Sequence, residues 1–365
     1  MEKKKLAGIL ASSLMIGFSL GGSVIASAHS MKTSNGMNQS KSSMTHSTMK
    51  NSIDTSDVLV GAAASPPSGN RNGMVFFEQA HTSKMITVPV FKNANAFQLA
   101  VAGPIAYVPT LQGKTYLINL QTHRVISHFS SPIGARIASL SNDDHTLIIT
   151  GGKSVTAYAL PSLKRIWQIS TGGNTLSVAG NIAYLSGNSA SKTALIDLKS
   201  GKVTGTLPVG MIEDSVYDPQ KHTLWLANWS NGDMTVVNTK THRIANVIHQ
   251  SEGGGFSMQD MGSMKNMMKA TGGYMQLAVG PRGNHVYAAS FSGNILVFNA
   301  RNNTFEKNIP TVPMAKLSGI AIDPSGQYAY ATVEDMKETV AISLKNDKLA
   351  ATFPHLVSNR WIALH

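Results

Sequence analysis

Cysteine is absent from the 365-residue sequence, and its absence excludes several kinds of chemistry. The protein has no disulfide framework, no thiolate metal site and no covalently attached haem. A purple dinuclear copper centre and a lipid-modified N-terminal cysteine are excluded for the same reason. A chain of this length can bury a large core without disulfides.

Acidic residues are also few, with 19 Asp and Glu against 31 Lys and Arg and a formal net charge of +12. This balance favours anionic surroundings such as cell-wall polymers or lipid headgroups. The basic residues are scattered along the chain rather than clustered, which argues against nucleic-acid binding. We therefore expect no nucleic-acid partner.

Only one long apolar run is present, and it lies at the N-terminus. Lys3–Lys5 precede the run Leu6–Ile25, and the small residues Ala26-Ser27-Ala28 follow it. This order is typical of a secretory signal peptide, which we assign to residues 1–28. An uncleaved anchor is the alternative. No second apolar run is long enough to span a bilayer, so the sequence predicts a secreted or cell-surface protein with no transmembrane span after cleavage.

Branched apolar residues are nearly absent from the segment that follows. Residues 29–70 are rich in Ser, Thr, Asn, Met and His. Such a composition cannot bury enough apolar surface to fold, so we predict a disordered tail. A folded domain is predicted for residues 71–365.

The rest of the chain repeats one pattern about every 40 residues. A strand-like run with a large central residue is followed by turn chemistry, a second apolar run, another turn and a third run, as in TLWLANWSNGDMTVVNTKTHRIANVI (223–248). An additional apolar run precedes each large residue, which gives four strands per unit. The aligned large residues are Phe76, Tyr107, Ile148, Tyr184, Trp225, Tyr287 and Tyr330.

These units resemble the YVTN-type β-propeller repeat of extracellular and surface-layer proteins. The matching pairs are IAYVPT with YLINLQT, IAYLSG with ALIDLKSGKV, and HVYAAS with ILVFNA. Only Asp197 keeps the acidic residue of the family pattern, whereas Asn119, Asn238 and Asn299 replace it elsewhere. The resemblance implies an all-β propeller and does not specify a function. The seven aligned large residues predict seven blades, and therefore a seven-bladed β-propeller.

The two ends of the repeat region predict how the ring closes. Arg360–His365 (RWIALH) is strand-like and follows the last unit, so we expect it to form the innermost strand of the first blade. That blade is short, and its outer strand is either missing or supplied by Asp57–Ala62.

A methionine-rich insertion, residues 249–275, separates the fifth and sixth units. It contains a Met-x-x-Met pattern, lacks Leu, Ile and Val, and has glycines near both ends. Thioethers are soft ligands that suit Cu(I) in oxidising compartments, and the segment resembles the Met-x-x-Met runs of exported copper-handling proteins. A short amphipathic helix that docks on the ring or binds a partner is the alternative. The candidate ligands here are Met258, Met261, Met264, Met267 and Met268.

Further methionines and histidines are predicted on the same face of the ring as the insertion. Connections from the outer strand of one blade to the inner strand of the next, and from second to third strands, lie on one face of a propeller. We place Met211, Met314 and His355 in connections of the first kind, and His81 and Met85 in one of the second kind. Together with the insertion they form a candidate copper site.

Three functions are consistent with these features. The first is a non-enzymatic exported propeller that binds copper or a protein partner through its methionine-rich face. The second is a propeller enzyme such as a lactonase or oxidoreductase, although no catalytic motif is present and the predicted face offers few acids. The third is a scaffold bound to cell-wall polymer through its basic charge.

Overall fold

A computed structural model describes residues 58–63, 73–80, 84–91, 96, 98–187, 189–253, 273–313, 315–334, 336–354 and 359–364. Within these ranges the secondary structure consists of β-strands and one short 3-10 helix, Ser251–Gly253. The strands form seven four-stranded antiparallel sheets. The prediction of an all-β propeller with repeated blades is confirmed.

The sheets are numbered in ring order, with the strands of each sheet given from the inside outward. Sheet 1 contains β28 (Asn359–Leu364), β1 (Val58–Ala63), β2 (Gly73–Gln79) and β3 (Lys84–Phe91). Sheet 2 contains β4 (Ala100–Ala102), β5 (Ile105–Pro109), β6 (Lys114–Asn119) and β7 (Arg124–Ser130). Sheet 3 contains β8 (Ile137–Leu140), β9 (Thr146–Thr150), β10 (Val155–Ala159) and β11 (Lys164–Ile169).

The remaining four sheets follow the same order. Sheet 4 contains β12 (Thr175–Ala179), β13 (Ile182–Ser186), β14 (Thr193–Asp197) and β15 (Val203–Leu207). Sheet 5 contains β16 (Ile212–Asp218), β17 (Thr223–Asn228), β18 (Asp233–Asn238) and β19 (Arg243–His249). Sheet 6 contains β20 (Tyr274–Val279), β21 (His285–Ser290), β22 (Asn294–Asn299) and β23 (Thr304–Pro310), and sheet 7 contains β24 (Leu317–Ile322), β25 (Tyr328–Val333), β26 (Glu338–Ser343) and β27 (Lys348–Pro354).

Apolar side chains from neighbouring sheets form the core. Trp225 of sheet 5 and Phe298 of sheet 6 are fully buried, with ring centroids 5.9 Å apart. The middle strands read as nearly continuous apolar runs because neighbouring sheets cover both of their faces. The outer strands lack this cover, and β7 is exposed along most of its length.

The N- and C-terminal parts of the chain close the ring together. β28 pairs with β1, as the sequence predicted for Arg360–His365, and side chains of sheet 1 then pack against both sheet 2 and sheet 7. The alternative in which Asp57–Ala62 contributes a strand to this blade is confirmed, but its position as the outer strand was wrong. Val58–Ala63 lies within the predicted tail but forms the second strand, so Phe76 belongs to the third strand and β3 is the outer strand.

The connection between the third and fourth strands has the same geometry in sheets 2 to 7. One residue of each turn has a left-handed backbone, with φ between 53° and 68°, and the following pairing shifts register by one residue. This is the bulge expected when a left-handed residue joins two antiparallel strands. The six residues are His123, Leu163, Gly201, His242, Asn303 and Asp347.

Candidate functional site

The ring has two faces that differ in the connections they carry. The upper face carries the connections from an outer strand to the next inner strand and from second to third strands. The lower face carries the turns from first to second and from third to fourth strands. The methionine-rich segment joins β19 to β20 and therefore leaves and re-enters the ring on the upper face.

Glu252 holds the stem of that segment against sheet 6. Its Oε1 accepts a hydrogen bond from Nδ2 of Asn308 at 2.6 Å, and its Oε2 accepts from Nδ2 of Asn294 at 2.5 Å and from Oγ of Ser292 at 3.1 Å. Its backbone carbonyl accepts from the N–H of Gly273 at 3.1 Å. The residues on either side of 254–272 are thus hydrogen-bonded to each other at a fixed point on the ring.

Tyr274 packs beneath this stem. Its ring is fully buried, its hydroxyl donates to the carbonyl of Gly232 at 3.1 Å, and burial raises its pKa above the ordinary value. Gly253 lies so close to the ring that a Cβ would overlap it, and a Cβ at Gly273, whose φ is 136°, would overlap Trp229. Both glycines near the segment's ends are therefore required by packing.

Polar side chains link neighbouring inner strands around the central channel. Oγ of Ser139 donates to the carbonyl of Leu176 at 3.1 Å, and Oγ of Ser177 donates to that of Ser215 at 2.8 Å. These bonds satisfy backbone groups of edge strands that would otherwise lack partners in the channel. Sheets 3, 4 and 5 are joined in this way.

Gln276 makes the link between residues that are farthest apart in the sequence, since its partner Ile362 is 86 residues away. Its Nε2 donates to the carbonyl of Ile362 at 2.9 Å, while its Oε1 accepts from the N–H groups of Ile362 and Ile320, each at 3.1 Å. The side chain is buried at a register shift in β20. One amide thus joins sheet 6 to both sheet 7 and the C-terminal strand.

Asp214 links sheet 5 to sheet 6. Its Oδ2 accepts from the N–H of Leu277 at 2.7 Å, and the residue is 3% exposed. Burial raises the pKa of this carboxyl to about 7, although hydrogen bonds from the Leu277 and Ser215 backbones act in the opposite direction. The contact assigns Asp214 a structural role, and the carboxyl is absent from the lining of the cavities described next.

A cavity of about 500 Å³ occupies part of the channel between β4, β8, β12 and β16. Serine hydroxyls alternate in its wall with Val and Leu side chains, and Asn142, Tyr217 and Pro219 lie where it reaches the lower face. A much smaller cavity, about 10 Å³, lies at the upper end of the inner strands between Gln98, Arg136, Asn174, Glu213 and Trp361. The larger cavity thus lies toward the lower face and the smaller one toward the upper face.

Of the ten predicted ligands, Met211 is the one whose side chain is described. It lies between β15 and β16 on the upper face, is 41% exposed, and has a left-handed φ of 58°. The predicted position of Met85 was wrong. Met85 lies in β3, next to the β2–β3 connection, and this connection joins a third strand to a fourth strand on the lower face. The others lie outside the described residues: His81, Met258, Met261, Met264, Met267, Met268, Met314 and His355.

Two other methionines lie in strands rather than in connections. Met234 is fully buried in β18, and Met275, assigned to the insertion, is buried in β20. Met336 is exposed in the β25–β26 connection. Within the described ranges, no group of three or more His, Asp and Glu side chains is arranged to hold a metal ion.

Charge divides unevenly between the faces. Among the described charged side chains of sheets 2 to 7, the upper face has six cations and six acids, so its formal charge is zero. The lower face has thirteen cations and seven acids, a formal charge of +6, when Glu306 and Lys307 are counted with their lower-face partners His285 and Asp347. The lower-face cations are Arg124, Lys164, Arg165, Lys199, Lys202, Lys221, Lys240, Arg243, Arg282, Arg301, Lys307, Lys345 and Lys348.

The fold places the protein in the class of β-propellers, and comparison with known proteins supports this class. No family model matches the chain, and no curated protein matches it. Among solved structures, it is similar to hydrazine synthase from Kuenenia stuttgartiensis, with a TM-score of 0.61 and 12% sequence identity over 73% of this chain and 88% of that one. At this identity the likeness shows the fold alone.

Proposed function

We propose that the protein is an exported, non-enzymatic β-propeller that binds a soft metal ion, copper in the first instance, through its methionine-rich upper face. The observation that carries this proposal is the Met-x-x-Met run in residues 258–268, which supplies five thioethers without Leu, Ile or Val. Neutral sulfur ligands match Cu(I), and no thiol competes for it in this chain.

The described residues around the segment support this proposal. Glu252 and Gly273 fix the point on the upper face where the segment begins and ends. Met211 and Met336 are exposed on the same face, although core methionines such as Met234 are buried. Exposed thioethers elsewhere on this face are consistent with a ligand set larger than the segment itself.

We further propose that the chain is a seven-bladed member of the YVTN-type repeat family and that it acts outside the cytoplasm. The seven sheets and the repeated strand motifs support the first part, and the signal-like residues 1–28 support the second. Detection of a mature protein beginning at His29 after expression in a secreting host would support export. A retained N-terminus would contradict cleavage.

The enzyme alternative has less support. Burial raises the pKa of Asp214 to about 7, yet its carboxylate accepts the Leu277 N–H and takes part in holding two sheets together. A buried acid of this kind is as readily explained by packing as by catalysis.

Titration of the mature protein with Cu(I) against a chelating competitor tests the metal proposal. The informative variant replaces Met258, Met261, Met264, Met267 and Met268 with Leu, which keeps the apolar volume and removes the thioethers. We expect Cu(I) affinity to fall at least 100-fold. A second variant, Met234→Leu, changes a buried methionine and should leave Cu(I) affinity unchanged.

The same variants separate metal binding from helix docking. If the segment is a docking helix, the Leu replacements should preserve its association with a partner or with the ring, and neither the parent protein nor the variant should bind Cu(I). Equal Cu(I) affinity in the parent and the Leu variant would also reject the proposed site. Unfolding midpoints confirm that the variants are compared in the folded state.

A further inference from the structure

The lower face has a repeated chemical feature that the sequence alone had presented as scattered charge. In five of the six described turns between third and fourth strands, a basic residue directly follows the left-handed residue. All five are exposed. We call this set the basic rim, and it consists of Arg124, Lys164, Lys202, Arg243 and Lys348.

The fold brings these residues to one side of the molecule. Each lies at the start of an outer strand or one residue before it, so the repeated turn places all five at equivalent positions in sheets 2, 3, 4, 5 and 7. Sheet 6 has Thr304 at this position, and Arg301 lies three residues earlier in the same turn. The positive charge therefore continues around the lower face.

Several acids on this face are already engaged by the protein. Asp218 and Asp323 are buried, and Oδ2 of Asp347 accepts from Nζ of Lys307 at 2.6 Å. Oδ1 of Asp197 accepts from the hydroxyl and N–H of Ser200. Burial removes Asp218 and Asp323 from the exposed surface, and the Asp347–Lys307 pair cancels within the face, so the exposed formal charge of the lower face stays positive.

An exposed apolar side chain accompanies each cation of the basic rim. Val125, Val203, Ile244 and Leu349 directly follow their cations, and Ile166 follows Lys164 and Arg165. Their exposed fractions lie between 38% and 50%. A basic residue and an exposed aliphatic residue thus lie side by side at five equivalent positions. The surface that they form can make both electrostatic and apolar contacts.

We propose that the lower face binds the surface of an anionic lipid bilayer. Basic side chains would contact the headgroups while the adjacent aliphatic side chains enter the boundary between headgroups and acyl chains. Binding of a soluble polyanion would require only the cations. The exposed aliphatic residues beside them therefore favour a lipid surface. No helix in the described part of the chain has the length and hydrophobicity to span a bilayer, and a surface contact requires none.

Vesicle co-flotation of the mature protein tests this proposal. The probes are vesicles of phosphatidylcholine alone and vesicles containing about one third phosphatidylglycerol. We expect binding to the anionic vesicles, at least tenfold weaker binding to the neutral ones, and partial loss in high salt because the charges are screened. Equal binding to both vesicle types, or no binding to either, would overturn the proposal.

Two charge variants locate the surface. Replacing Arg124, Lys202, Arg243 and Lys348 with Gln should weaken binding to anionic vesicles at least tenfold. The matched control replaces four exposed lysines of the upper face, Lys114, Lys153, Lys192 and Lys337, and changes the net charge equally. It should weaken binding less than twofold. Equal losses in the two variants would show that only net charge matters and would reject the lower face.

A third variant distinguishes a lipid surface from a soluble polyanion. Val203→Ser, Ile244→Ser and Leu349→Ser keep every charge and should reduce vesicle binding at least fivefold while leaving any binding of soluble polyphosphate unchanged. Unaltered vesicle binding in this variant would reject insertion of the aliphatic residues. The Cu(I) titration concerns the upper face, so failure of either proposal leaves the other testable.

Discussion

The N–H of Leu277 in sheet 6 donates a 2.7 Å hydrogen bond to the buried carboxylate of Asp214 in sheet 5. This single contact spans the junction from which the methionine-rich segment leaves the ring. Because Asp214 is buried, the carboxyl resists ionisation and its pKa rises from an ordinary value of 3.8 to about 7. The junction is therefore sensitive to pH.

Replacing Asp214 with Asn should remove a defined part of the pH dependence of stability. Between about pH 4 and pH 7 the folded state keeps a proton that the unfolded state has lost. The free energy of unfolding therefore falls as pH rises, by up to about 4 kcal/mol from this group. The free energy of unfolding of the parent and of Asp214→Asn is measured with denaturant at pH 4.5 and pH 7.5. The difference between variant and parent should shift in favour of the variant by about 2 kcal/mol or more at the higher pH.

Glu213 provides the control for this measurement. Its charge is the smallest of the causes that act on Asp214, so Glu213→Gln should alter the pH dependence much less. Parallel stability curves for the Asp214→Asn variant and the parent protein would contradict the assigned pKa shift.

Glu252→Gln should weaken the stem of the methionine-rich segment. The substitution replaces one carboxylate oxygen with an NH₂ group, which then faces either the donor of Asn308 or the donor of Asn294. Hydrogen bonds to a charged group contribute about 1.5–3 kcal/mol, and we expect a loss of about 2 kcal/mol in denaturant unfolding. A double-mutant cycle with Asn308→Ala isolates the pair, and a coupling energy near zero would contradict the contact.

Gly253→Ala should destabilise the protein because the added methyl group overlaps the buried ring of Tyr274. Overpacking of this kind costs about 1–3 kcal/mol. Gly205→Ala is the matched control, since Gly205 lies in β15 with no heavy atom near its missing Cβ. That change should be neutral or slightly stabilising. Similar unfolding midpoints for the two variants would show that the stem is not tightly packed.

Gln276→Ala should loosen the closure of the ring. The substitution leaves the N–H groups of Ile320 and Ile362 without their side-chain acceptor, and each unsatisfied group costs about 1–3 kcal/mol. Hydrogen exchange should quicken selectively in β28. Ser139→Ala removes one bond between sheets 3 and 4 and should not alter exchange in β28. Unchanged protection of β28 in the Gln276→Ala variant would argue against this role.

Local sequence patterns predicted the repeated sheets and the closing strand well. Turn residues such as Asn231-Gly232 and runs such as TLWLAN specify strands by their own chemistry, without distant contacts. The position of β1 was predicted less well. The run VLVGAA is short and follows a long polar segment, so its composition gave no reason to place it between β28 and β2.

The site contacts were beyond local prediction because they join residues that are distant in the chain. Asp214 and Leu277 are 63 residues apart, and Gln276 and Ile362 are 86 apart. Glu252 had one signal, an acid followed directly by three glycines, but nothing in that stretch indicates its asparagine partners. The basic rim could not be predicted from local sequence either, because its members come to one face only after the repeats have folded.

Sheet 1 takes its inner strand from residues 359–364 and its second strand from Val58–Ala63. Residues 359–364 are synthesised after every other strand in the described part of the chain, so sheets 2 to 7 can form before sheet 1 has its inner strand. The ring therefore stays open at sheet 1 until these six residues have been made. A truncation before residue 359 would remove the strand that closes the ring.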